Sequence, residues 1–121
     1  MIDETRKILG KPDLLVTATA VRVPVSYCHS ESINVEFEED VDIYEAKVLL
    51  QNSDGIILTD DIDNNIYPLA RKADGLNDVF VGRVRRDFSV RHGLNMWVVA
   101  DNLRKGAATN AVQILEVLLQ N

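Results

Sequence analysis

The chain has 121 residues, 46% of them hydrophobic and 26% charged, with a formal net charge of −6. That length and balance fit a single globular domain, residues 1–121, with a core of its own. The acidic excess leaves no electrostatic footprint for a phosphate backbone, so no nucleic-acid partner is expected.

"DETRKILG" predicts a short helix, with Gly10 suited to a left-handed C′ position and Pro12 just beyond, where a helix cannot continue. Leu14–Val25, "LLVTATAVRVPV", is rich in β-branched residues and alternates, which predicts a strand. Val16, Ala18, Ala20 and Arg22 share one face of it, and Pro24 argues for an edge or the end of pairing. "SYCHSE" reads as a polar connection. Ser32–Glu38 predicts a second strand with Ile33, Val35 and Phe37 turned inward.

Val41–Asn52 has helical spacing, with Asp40 as its expected N-cap. "IILTDD" is a short strand, and Asp61–Asp78 reads as a long polar connection of a kind that is often functional or packs against a partner. "VFVGRVRRDFSV" and "GLNMWVVAD" predict two strands joined by "RHG". Arg83 and Arg85 fall by alternation on the face of Val79 and Val81. The chain closes on an amphipathic helix whose stripe is Ala107, Ala111, Ile114, Leu115 and Leu118. Together the elements predict an α+β fold: a mixed or mostly antiparallel sheet with helices on one face.

The N-terminus has no apolar signal-peptide core, and no apolar run approaches the roughly 20 residues that span a bilayer. No membrane partner is expected. One cysteine cannot make an internal disulfide, which fits a reducing, cytoplasmic setting.

His29 is a candidate acid/base, since an imidazole can take and return a proton near neutral pH; the bland alternative is a surface histidine bonded to a neighbour. Cys28 stands beside it, but adjacent residues on an extended chain face opposite ways, so a thiolate–imidazole pair is disfavoured and Cys28 reads as a small packing residue. Arg22 sits on an apolar strand face and needs an anionic partner: a bidentate clamp on a substrate carboxylate, or an internal ion pair. With one cysteine and no CxxC or HxxxH spacing, no metal site is expected. GxGxxG, GxxxxGK[ST] and GxSxG are all absent.

These stretches also carry a resemblance. "ETRKILG", "RVPV" followed by "HSES" and "VEFE", "NDVFVGRVRRD" and "GLNMWVVADNLRKGAATNAVQI" are similar, in order and over nearly the whole chain, to the C-terminal part of aspartate-β-semialdehyde dehydrogenase. Gln51–Arg71 is the least distinctive stretch. The resemblance implies the C-terminal, catalytic and dimerisation fold of the glyceraldehyde-3-phosphate dehydrogenase-like family. It implies reductive dephosphorylation of β-aspartyl phosphate to aspartate semialdehyde with NADPH, on the route to lysine, threonine and methionine. In that family a cysteine thiolate holds the substrate as a thioester or hemithioacetal, a histidine shuttles the proton and an arginine clamps the α-carboxylate.

The resemblance places the acid/base at His29 and the carboxylate clamp at Arg22, and it sets Asn102, in "DNLRKG", near the nicotinamide end of NADP. It implies aspartate semialdehyde or β-aspartyl phosphate and phosphate as small-molecule partners, and a homo-oligomer, a dimer, as the assembly. The family's nucleophilic cysteine and glycine-rich NADP loop belong to an N-terminal domain with no counterpart here, and a family glutamate and lysine fall just before "DETRKILG". Cys28 is not that nucleophile. The isolated chain, similar to about the last third of the enzyme, is therefore expected to be inactive alone. The stripe of its final helix, which in the family packs on the nucleotide domain, is expected to find another partner or to be exposed as a patch that promotes association. Two other readings stay open: a non-catalytic oligomerisation or regulatory module, and a related acyl-phosphate reductase such as one acting on N-acetyl-glutamyl phosphate.

Overall fold

The computed structural model describes residues 1–120; Asn121 lies outside them. Helix α1 spans Ile2–Leu9, with Asp3 and Glu4 in its first turn and Arg6 and Lys7 in its last, the arrangement its dipole favours. Gly10 ends it at φ 62, sending its N–H back to Lys7 O at 3.3 Å. The left-handed cap expected from the sequence is present.

The strand expected over Leu14–Val25 is not formed. A strand needs a neighbour to take its N–H and C=O groups, and among the described residues none lies alongside this segment. Leu15 is 95% exposed and Val21 80%. The alternation of a strand is present, but the ladder is not.

Strand β1 runs His29–Glu36, so His29 opens a strand rather than sitting in the connection expected for it. Ile33 and Val35 are half-buried as expected. Phe37, expected inward, is past the strand end and exposed, with its N–H bonded to His92 O at 2.8 Å. Helix α2 is Ile43–Gln51, and its cap is Asp42, whose carboxylate accepts from Glu45 N at 3.0 Å. Asp40, the expected cap, instead accepts from Arg86 Nη1 at 2.8 Å and lies 3.4 Å from His92 Nδ1.

Strands β2 (Ile56–Leu58), β3 (Val79–Asp87) and β4 (Gly93–Ala100) complete the sheet in the order β1-β4-β3-β2. The β1–β4 and β4–β3 pairs are antiparallel and β2–β3 is parallel, so the sheet is mixed, within the α+β class expected. A single helical turn, α3 (Ala70–Ala73), interrupts what read as a continuous polar connection. Helix α4 is Ala108–Leu119 and has no buried residue; its stripe is exposed, as expected for an uncovered helix.

The pairing register fixes the faces. Phe80, Trp97 and Val99 point to one side, where Cys28, Ala70 and Ala73 pack on them. Val81 and Leu94 are buried on the reverse, and α2 lies against β2 and β3.

Strict alternation fails in β3. Gly82 pairs with Trp97 and Arg85 with Asn95, so three steps on β3 oppose two on β4, a β-bulge with Arg83 at φ 56. The bulge carries Arg85 to the Trp97 side, away from Val81, and overturns the shared face expected for these residues. Its two freed amides, Arg83 N and Val84 N, donate to the buried Asp60 carboxylate at 2.8 and 3.2 Å. Lys47 neutralises that carboxylate at 2.8 Å.

Candidate functional site

The site forms where the start of β1 meets the end of β4. His29 pairs with Ala100 across the ladder, and Asn102 follows two residues later. The imidazole of His29 is exposed and the Asn102 side chain half-buried. The sheet therefore brings two of the three candidate residues to one end. Arg22 is not brought to them by any contact: it stands exposed on the unpaired segment, and among the described residues its side chain has no hydrogen-bonded or ion-paired partner.

Cys28 is buried and His29 exposed, and the left-handed backbone at Cys28, not the alternation of an extended chain, turns them apart. Cys28 is in the left-handed region at φ 73, buried, with its thiol donating to Ala70 O at 3.3 Å. Burial pushes the thiol pKa up, and the nearby carboxylates of Asp101 and Asp74 push it further, so it is a poor thiolate at neutral pH. It packs on Ala73 and Val99.

Sequence reasoning missed Asp101. It is buried, and its carboxylate accepts from Gly75 N and Leu103 N, both at 2.9 Å, with Arg104 Nε 3.8 Å away. Those two backbone donors, then Arg104, hold its carboxyl below the usual aspartate range. Asp101 thus ties the 74–78 turn to the turn after β4, the turn that carries Asn102. The aspartate directly after a β-strand and before "NLRK" was the available signal, a turn-forming type at a strand end.

The donor set at this end suits a polar organic ligand better than a metal. Among the described residues no group of three or more His, Cys, Asp or Glu side chains is placed to hold a metal ion. The Asn102 amide is half-buried yet engages no protein partner among the described residues. Its free donor and acceptor on one planar group can pair with a ligand carboxamide or another polar group. No helix among the described residues is long and apolar enough to cross a membrane.

A four-stranded mixed sheet with His29 and Asn102 at one open end defines an α+β domain. A family model described as "Semialdehyde dehydrogenase, dimerisation domain" matches residues 1–105. Aspartate-semialdehyde dehydrogenase from Aquifex aeolicus is 52% identical over 120 residues, and that from Bacillus subtilis 49% over 119. These alignments cover 99% and 98% of the chain but 35% and 34% of the relatives. The crystal structure of aspartate semialdehyde dehydrogenase II from Vibrio cholerae complexed with ASA superposes with a TM-score of 0.91 at 48% identity, covering 100% of this chain and 35% of that one. The chain belongs to the semialdehyde dehydrogenase dimerisation-domain family and spans about a third of the length of the relatives it matches.

Proposed function

We propose that this chain supplies the proton-transfer and carboxylate-binding side of an aspartate-semialdehyde dehydrogenase, completed by a nucleotide-binding part that carries the nucleophilic thiol. The observation that carries this reading is the placement of His29 opposite Ala100 at the open end of the sheet, two residues from Asn102. An exposed imidazole there is free to take the proton from the tetrahedral hydroxyl of a thiol adduct and to return it in the reverse direction. Arg22, without an internal partner among the described residues, is available to grip the α-carboxylate of aspartate semialdehyde or β-aspartyl phosphate through its planar fork.

NADP(H), when bound, would supply or accept the hydride. Asn102 would hold its carboxamide end. The reaction consumes or releases inorganic phosphate and lies on the route to lysine, threonine and methionine, in the cytoplasm; one buried, reduced thiol agrees with that compartment. The chain alone is inactive, because its single cysteine is buried and its thiol pKa raised.

The test joins this chain to the nucleotide-binding part of a relative and follows NADP reduction with aspartate semialdehyde and phosphate. His29→Ala should lower the rate on the order of 10²–10⁴-fold, as for a lost general acid/base. Arg22→Ala should raise KM as well as lower kcat/KM. Full rates in both variants would sink the assignment, and turnover by the chain alone would show that Cys28 had been misread.

A further inference from the structure

We propose that Asp101 is a positioning residue for the nicotinamide end of the cofactor, acting through Asn102, whose place beside His29 it sets. The inference rests on the reading above, in which Asn102 holds the carboxamide of NADP(H). The ladder fixes one side of the site, since His29 pairs with Ala100, the last residue of β4. Asp101 is then the single residue between that fixed point and Asn102.

Asp101 holds its turn with both main chain and side chain. Its carbonyl oxygen accepts from Arg104 N at 3.0 Å and Lys105 N at 2.9 Å. One carboxylate oxygen accepts from Leu103 N and the other from Gly75 N, both at 2.9 Å. Asn102 therefore lies between two residues that are bonded to each other, and its backbone has little freedom left. The second carboxylate oxygen reaches a different segment, and Arg104 reinforces that link: its Nε lies 3.8 Å from the same oxygen and its Nη1 donates to Asn77 Oδ1 at 2.8 Å. The 74–78 turn thus braces the 101–105 turn from outside and keeps it from swinging as a unit about the end of β4.

The residue type separates positioning from packing. Asp101 is 3% exposed, and a buried carboxylate is costly unless its oxygens are met. A leucine would fill the space without holding either turn. An asparagine has the same shape but one acceptor oxygen, so its amide would face a backbone N–H. A carboxylate gives each of the two backbone donors its own acceptor. The turn held in this way presents the Asn102 amide, which has no protein partner among the described residues. The fold makes no use of that amide's bonds, so the precision of the turn serves what the amide meets. A misplacement of about 1 Å at a group that orients a reactant is enough to cost a large factor in rate.

Calorimetric titration of the reconstituted enzyme tests this, with NADPH and, separately, with the adenosine bisphosphate half of the same cofactor, which lacks the nicotinamide. Asp101→Asn and Asn102→Ala should each weaken NADPH binding by about 5–10-fold, the worth of one hydrogen bond. Both should leave the adenosine half within about twofold of wild type, a difference of the size that remote substitutions make. The double variant should bind NADPH no more weakly than Asn102→Ala alone, because two residues that act through one contact do not add. Gly82→Ala, destabilising but in the middle of the sheet, should bind both probes as the wild type does. Unchanged NADPH affinity in Asp101→Asn, an equal loss of the adenosine half, or additive losses in the double variant would each overturn the proposal. If circular dichroism shows that Asp101→Asn fails to fold, Arg104→Met, which releases Asn77 and leaves both backbone donors in place, decides by the same pattern. Wild-type affinity in Asn102→Ala would sink the cofactor reading and the proposal with it. A loss in Asn102→Ala alone would leave that reading standing and sink the positioning role.

Discussion

The Cys28 thiol donates to Ala70 O at 3.3 Å on the packed face of the sheet, while His29, the next residue, pairs with Ala100 and turns its side chain the other way. The adjacency in sequence suggests a nucleophile beside its base, and the backbone separates them. Cys28 sits at φ 73, a conformation costly for a non-glycine residue and held here by burial against Ala73 and Val99. Native protein should therefore react slowly with iodoacetamide at pH 7–8, and the same chain in denaturant should react at the rate of a free thiol. The raised thiol pKa acts in the same direction as burial, because it lowers the thiolate fraction at neutral pH. Rapid labelling of folded protein at one equivalent would contradict this placement.

Asp101 makes the end of β4 sensitive to acid. Its carboxyl is held below the ordinary aspartate value by Gly75 N and Leu103 N and then by Arg104. A depressed folded pKa means the unfolded chain binds the proton more readily. The contribution to stability is thus complete above the unfolded value of about 3.9 and is lost as pH falls through the lower folded value. Asp101→Asn should lower the urea midpoint at pH 7 and flatten its fall between about pH 5 and pH 2. A variant that keeps the wild-type slope over that window would assign the acid sensitivity to other carboxylates, such as Asp40, which Arg86 and then His92 hold low.

Gly82 is required by a close approach. A Cβ there would meet Thr59 O and Pro68 Cδ well inside van der Waals contact, and the first of these is backbone that cannot swing aside. Gly82→Ala should destabilise the chain by about 1–3 kcal/mol or more, as overpacking does. It should also disturb the Trp97–Pro68 hydrogen bond and shift Trp97 fluorescence. An alanine variant with unchanged stability and emission would show that the loop yields more easily than its burial suggests.

Helices α1, α2 and α4, strand β1, the short strand β2 and the strands β3 and β4 were legible because each carries its own local signal: a glycine stop after Leu9, alternation in "NVEF", helical spacing before "SDG"; the single turn of α3 was not. What was not legible depends on partners distant in sequence. Leu14–Val25 has the pattern of a strand, and pattern alone does not supply the neighbour that closes a ladder. The Arg83 bulge reverses the faces of β3, and its cause is Asp60, 23 residues upstream of Arg83, capping the two freed amides. Asp42 took the helix cap from Asp40 because Asp40 is drawn to Arg86 across the sheet. At the site, His29 and Asn102 could be named from the sequence, whereas the buried Asp101 that ties their neighbourhood to the 74–78 turn became visible only once Gly75 and Leu103 were seen to converge on it.

A residue kept for chemistry and a residue kept for packing should part company in a stability measurement. His29 and Arg22 are exposed and hold nothing together through their side chains among the described residues. His29→Ala and Arg22→Ala should each change unfolding free energy by no more than about 0.5 kcal/mol, the usual range for surface substitutions. Val99, 1% exposed beneath Cys28 and Ala73, is the opposite case. Val99→Ala removes two buried methyl groups and leaves a cavity, so it should cost about 2–3 kcal/mol. For a domain of this size that is a fall in Tm of roughly 8–15 °C. The kinetic ranking in the reconstituted enzyme should run the other way at a temperature where all three variants are folded: His29→Ala nearly silent in stability and severe in rate, Val99→Ala severe in stability and mild in rate. If His29→Ala proves as destabilising as Val99→Ala, its effect on turnover would be structural and its role as proton carrier would fall.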